Sequence, residues 1–359
     1  MKKIFIIGVL IFFSRVLFAQ SQADLLLNFI LKNKTRTSLT LQKNDLVLAN
    51  LNDNRLMPLA GIEKIIVATE FAKQAAYNVF SFNAAVPLAD INKYYIKGID
   101  GGNHANWIKF ETRVGHIKRD SVKLIDVARG MIQYNSNANT EYLMDMLGFN
   151  NIQNNLRMFK LKQHTIIYPD VSSLFIYQNP KKISENELLE EIKLMNDSNY
   201  QKAIFAIHSE LKFENTYQQN YHPQDFTPKM QQLWIERLTA ATTYEYARVC
   251  RIINSRLILN DKSFAVLGKL LETAMEAASN KAWLKHYGAM SGSAPGILTK
   301  ALYATLKDDT KIELIYFFND LTSGETASIK LWMNDFEAKV LKDENFRKKL
   351  SAGIADQKK

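Results

Sequence analysis

The chain has 359 residues, 47% of them hydrophobic and 23% charged, the balance of a globular protein with one large domain or two modest ones. A single cysteine, Cys250, excludes an intrachain disulfide, so the fold must rest on its core. The formal charge of +10 is scattered and accompanied by no reader motif, which argues against nucleic acid as a partner.

The first twenty residues stand apart. Lys2 and Lys3 precede an apolar run from Ile4 to Phe13, and Leu17-Phe18-Ala19 reads as the cleavage site. This pattern predicts a signal peptide over 1–19 and an exported protein of the periplasm or extracellular space. The run is too short to span a bilayer, so no integral membrane segment is expected after cleavage. Loss of Lys2, Lys3 and Arg15 lowers the formal charge from +10 by three, to +7. A basic exported protein suits an anionic envelope.

After the leader, Ala23 to Leu31 reads as a short amphipathic helix. Thr37 to Leu41 and Asp45 to Leu51 alternate as strands around Gln42-Lys43-Asn44 and predict a hairpin. Pro58 to Ala76, PLAGIEKIIVATEFAKQAA, then predicts a tight entry and a helix that is apolar on most faces. Such a helix is buried. Lys64 falls in its first turn, where a cation opposes the helix dipole and is costly to bury. Gly61 lies one turn earlier on the same face. A lysine placed against both costs points to chemistry.

Residues 85–120 read as loop-rich, with a short helix over Asp90 to Tyr95. Helices are predicted over Ser121 to Tyr134 and Asn139 to Leu147, broken at Asn135-Ser136-Asn137, whose side chains favour turns. The stretch 150–230 is the least legible, with helices over Ile152 to Leu161 and Asn186 to Met195 and an irregular loop over Asn215 to Pro228. Further helices follow over Gln231 to Ser255 and Ser263 to Ala278. Met290-Ser291-Gly292-Ser293 then leads into strands over Ile297 to Thr305 and Lys311 to Phe318, and Thr326 to Leu341 closes the chain as an amphipathic helix. Strands at both ends and helices between them predict an α/β (α+β) fold, an antiparallel sheet with flanking helices and an inserted helical domain. The expected boundaries are 23–80 with 283–350 for the sheet domain, and 81–282 for the helical domain with an expanded region over 150–230.

Three short signals therefore fall in order: Gly61-x-x-Lys64, Asn135-Ser136-Asn137 and Met290-Ser291-Gly292-Ser293. Their order and settings resemble the class A β-lactamase and penicillin-binding serine hydrolases, whose motifs are Ser-x-x-Lys, Ser-Asp-Asn and Lys-Thr-Gly. Arg55 to Ala60, Met131 to Leu143 (MIQYNSNANTEYL), Leu233-Trp234, Thr239 to Tyr246 and Leu298 to Ala304 (LTKALYA) resemble the family's flanking text. The resemblance spans roughly 25–345.

It implies hydrolysis of β-lactams or cell-wall peptides without a cofactor. A serine activated by the neighbouring lysine would attack the carbonyl. It also assigns Gly61 to the nucleophile position, Asn135 to the proton-relaying serine and Met290 to the lysine that meets the substrate carboxylate. Each departs from the family residue. Lys64 and Asn137 are retained as catalytic positions, and Ser291, Gly292 and Ser293 fall with Met290 on the substrate-binding side. The expected protein is a non-catalytic homologue that binds a β-lactam, a peptidoglycan peptide or a protein partner. The alternatives are an active hydrolase using a displaced serine (Ser136, Ser291 or Ser293) and a structural envelope protein. The deacylating carboxylate has no clear place; Glu185 to Glu191 holds several. The six histidines show no ligand spacing, so no metal site is expected.

Overall fold

The computed structural model describes residues 21–355; the predicted leader lies outside them. In chain order the first elements are α1 (Gln22–Lys32), β1 (Thr37–Lys43), β2 (Leu46–Leu51), β3 (Met57–Pro58), α2 (Lys64–Ala76), β4 (Ala85–Pro87), α3 (Leu88–Asn92), α4 (Asn103–Arg113), β5 (Ser121–Lys123), α5 (Leu124–Gln133) and α6 (Asn137–Leu147). The middle adds α7 (Phe149–Met158), α8 (Asp170–Leu174), α9 (Glu185–Leu194), α10 (Asp197–Phe213), α11 (Pro228–Glu236), β6 (Ala240–Ala241), α12 (Thr243–Asn254), α13 (Asp261–Leu271) and α14 (Ala278–Lys281). The chain ends with β7 (Leu284–Ala294), β8 (Ile297–Leu306), β9 (Lys311–Phe318), α15 (Ser323–Lys342) and α16 (Glu344–Ala355).

The main sheet has the order β2-β1-β9-β8-β7 and is antiparallel throughout. Strands from the two ends of the sequence meet where β1 pairs with β9, Leu39 opposite Tyr316. The outer face carries α1, α15 and α16 over a core that includes Leu26, Leu27, Leu314, Tyr316, Phe336 and Leu350. The α/β expectation therefore holds. The inner face looks toward the helical body, whose core gathers Ile65, Ile66 and Phe71 from α2 with Trp107, Val127, Leu143, Tyr246 and Leu267. Within it α2 packs against α5, α6, α7 and α13. This is the burial on several faces that its composition requires.

The structure corrects several element boundaries. The loop-rich stretch contains α4, and the helix expected from Ser121 starts at Leu124, after a short strand. The illegible stretch holds the 17-residue α10. Met290 to Ser293 lies within β7 rather than ahead of a strand, and α16 follows the expected last helix. Among the described residues no helix is long and apolar enough to cross a membrane.

Candidate active site

The site forms where the entry to α2 meets the α5–α6 break and the edge strand β7. Leu59 donates its N–H to Thr239 O at 2.8 Å, tying the entry to the strand opposite β3. Ala60 and Gly61 follow with φ of 52° and 127°. Asn135, in the break, sits at φ 55°. Positive φ at Ala60 and Asn135 costs backbone energy, and such residues cluster where structure serves a site. Gly292 lets β7 approach closely: a Cβ there would lie 2.4 Å from Leu59 O and 2.7 Å from Ala60 O. Ser293 N–H closes the junction, donating to Ala60 O at 2.9 Å.

Lys64 is fully buried. Its Nζ donates to Asn135 O at 3.1 Å, to Asn135 Oδ1, and to Asn137 Oδ1 at 2.9 Å. An ammonium has three protons to give, and all three meet amide oxygens. Burial pulls the Lys64 amine below its ordinary range, opposed by Glu63, Asp170 and Asp100. Burial also raises the Glu63 carboxyl, with Lys64 and backbone donors holding it down. One of those donors is Gly61 N–H, 2.9 Å from Glu63 Oε2. Asp170, at the start of α8, is pushed up to about 8 by burial and by Glu63, with Lys64 opposing the rise.

Gly61 and Asn135 are fitted to each other. A Cβ on Gly61 would stand 2.9 Å from Asn135 Oδ1 and 3.2 Å from its Nδ2. The Asn135 amide therefore occupies the space from which a side chain at 61 would grow. Ser136 is buried and turned away. Its Oγ caps α6, accepting from Asn139 N at 3.2 Å, and lies 3.0 Å from both His104 Nδ1 and Asn139 Oδ1. Ser291 and Ser293 are exposed on β7, while Met290 points inward and is 2% exposed. Among the described residues no hydroxyl is hydrogen-bonded to Lys64.

The structure thus brings Gly61, Lys64, Asn135 and Asn137 into one cluster, with Met290 to Ser293 along its edge. The carboxylate that sequence reasoning could not place is a different matter. Glu185 and Glu187 serve the start of α9 and its neighbours, through Thr227 and the Ser184 capping box. Glu190 and Glu191 pair with Lys193 and Lys181 on the surface. After Glu63, Asp170 is the carboxyl whose charge acts most strongly on Lys64. Its only sequence signal is its place after Pro169 at a helix start.

A small cavity borders the cluster at Asn137. The cavity against Asn137, lined by Tyr94, Tyr95, Asp100 and Val171 among others, measures about 10 Å³. A cavity of about 580 Å³ opens elsewhere, between β3, α11 and the β7–β8 turn, and includes none of the motif residues.

This architecture is the fold of the serine β-lactamases and penicillin-binding enzymes. A β-lactamase from Sphaerobacter thermophilus superposes with a TM-score of 0.54 at 11% identity, covering 89% of this chain and 95% of that one. A β-lactamase from Chitinophaga pinensis gives 0.52 at 12%, covering 89% and 99%. A point mutant of the penicillin-binding protein PBP-A, solved as its acyl-enzyme complex with penicillin G, gives 0.51 at 11%, covering 88% and 95%. No curated protein sequence matches. The profile of the β-lactamase enzyme family matches residues 22–260, and the chain belongs to that family.

Proposed function

We propose that this is an exported member of the β-lactamase family that does not acylate, and that it acts by binding a cell-wall peptide or a protein partner. The observation that carries the reading is the saturation of Lys64 by three amide oxygens beside a residue with no side chain. A lysine base needs a hydroxyl within hydrogen-bond reach; here the Asn135 amide takes that place.

Three further features support it. An acyl-transfer enzyme needs backbone N–H groups aimed at the developing oxyanion. The two that border position 61 are engaged internally, Gly61 N–H by Glu63 and Ser293 N–H by Ala60. Met290 brings no charge to meet a substrate carboxylate. The displaced-serine alternative loses its most buried candidate, because Ser136 Oγ is committed to the α6 cap and to His104. The leader-like 1–19 sequence supports export.

Incubation of the purified chain with a fluorescent penicillin, followed by denaturing electrophoresis, tests the reading. No covalently labelled band is expected. A labelled band that survives denaturation and is abolished by boiling the protein beforehand would overturn it.

A further inference from the structure

A second cluster lies on the far end of α5 from the motif residues. Glu111 occupies the last turn of α4, His116 the loop that follows, and Asp126 the first turn of α5. One potential donor atom from each of the three falls within 4.8 Å of the other two. His116 Nδ1 is 2.7 Å from Glu111 Oε2 and 3.8 Å from Asp126 Oδ2.

Three observations distinguish this cluster from a surface ion pair. Both carboxylates are buried, with side chains 5% and 8% exposed, against one imidazole of 45% exposure. Glu111 is held from behind: Trp107 Nε1–H donates to Oε1 at 3.1 Å, which turns Oε2 toward His116. His116 is held by its own N–H to Glu111 O at 3.0 Å. Asp126, by contrast, accepts no hydrogen bond among the described residues and aims its Oδ2 into the cluster. Its one ion-pair partner among the described residues is His116, 3.8 Å away.

We propose that Glu111, His116 and Asp126 bind a divalent zinc-class ion, with solvent as the fourth ligand. A tetrahedral ion with bonds of about 2.1 Å needs donors about 3.4 Å apart, between the two spacings found here. One imidazole nitrogen with two carboxylate oxygens is a donor set such an ion takes, and the Trp107 bond is the outer support that metal-bound carboxylates usually have. The half-exposed His116 gives the ion its way in. The ion would clamp the end of α4 to the start of α5, the helix that runs on to Asn135. Its role is structural and independent of the acylation question.

The test uses the full untagged chain, stripped with EDTA and titrated with zinc chloride. Expected are one equivalent of bound zinc by elemental analysis and a rise in Tm of about 5 °C at a hundredfold excess over Kd. Cobalt(II) in place of zinc should give the visible absorption of a four-coordinate N/O site. Asp126→Asn and His116→Ala should each lose the bound equivalent and the Tm response, while circular dichroism shows both folded. His116 is exposed and Asp126→Asn is nearly isosteric, so folding should survive. No stoichiometric zinc in the wild-type chain, or an equal response in both folded variants, overturns the proposal.

Discussion

The two faces of the main sheet solve the same packing problem with different materials. The outer face, under α1, α15 and α16, is held by aliphatic and aromatic contacts: Phe336 is fully buried and meets Tyr316 at 89° and Phe346 at 78°. Its interior charges are few; Glu337 accepts from Tyr316 at 2.6 Å and faces Lys300 at 3.4 Å. The helical body on the inner side buries far more ionisable groups, including Glu63, Lys64, Glu111, Asp126, Glu141 and His208. Burial of apolar area is insensitive to pH, whereas buried charges tie stability to protonation. One face of this protein should therefore behave as a passive support, and the other as an electrostatic assembly.

The sharpest way to break that contrast is to remove one anchor from each side. Phe336→Ala should cost about 3–5 kcal/mol through the cavity it leaves, by the same amount at pH 6 and pH 9. Lys64→Met should cost a similar amount, about 3–5 kcal/mol, for a different reason, because it strands Glu63 among buried groups without its cation. That penalty should shrink at low pH, where Glu63 takes up a proton. Urea unfolding of both variants across pH checks the pair.

His208 probes the helical side alone. It lies 2.9 Å from Glu141 and 3.3 Å from Asp145, and stacks on Tyr94 at 5.2 Å. Burial pulls its pKa down, but the hydrogen bonds to Asp145 and Glu141 outweigh it, and the result is about 9 against an ordinary 6.5. A folded-state pKa above the unfolded one means that the stabilisation is complete below about pH 6.5 and is lost as pH rises through about 9. The full effect is on the order of 3 kcal/mol. His208→Gln should flatten the decline in Tm between pH 6.5 and 9, and an unchanged slope would remove His208 as its cause.

A smaller effect is expected from Gly61→Ser. The substitution places a side chain at φ 127° and against the Asn135 amide, at a cost of about 1–3 kcal/mol. Pairing it with Asn135→Ser should cost less than the two single changes added together. Neither variant should be labelled by fluorescent penicillin, since Met290 and the occupied backbone donors remain.

The contrast between the faces also governs what the sequence could reveal. β1 is legible from its alternation, β8 and β9 from apolar runs buried on both faces, and α15 from buried residues recurring at helical spacing, Ile329, Met333, Phe336 and Val340. The helical body is harder. The buried stripe of α10 runs Tyr200, Ile204, His208, Leu211, and a charged histidine in the middle of it breaks the hydrophobic signal. β7 is hidden by its small residues. Gly288, Met290 and Gly292 alternate inward with period two, yet two glycines in a strand read as loop, because close approach to Tyr303 and Leu59 leaves no mark in sequence. The pairing of Gly61 with Asn135, far apart in the chain, likewise follows from the fold. Lys64 is legible as an anomaly, and Asp170 is not, because nothing local marks a lone aspartate whose carboxyl tertiary burial shifts upward.

The fit of Asn135 against Gly61 has a consequence for how the site can change with time. A side chain at 61 meets an amide already in place, so that step loses stability first. Shrinking residue 135 beforehand removes an acceptor of Lys64, so that step loses stability too. Either order of single substitutions begins downhill. The pair therefore acts as a ratchet, and a mutant library carrying this arrangement should gain a hydroxyl at position 61 at least cost by changing both positions together.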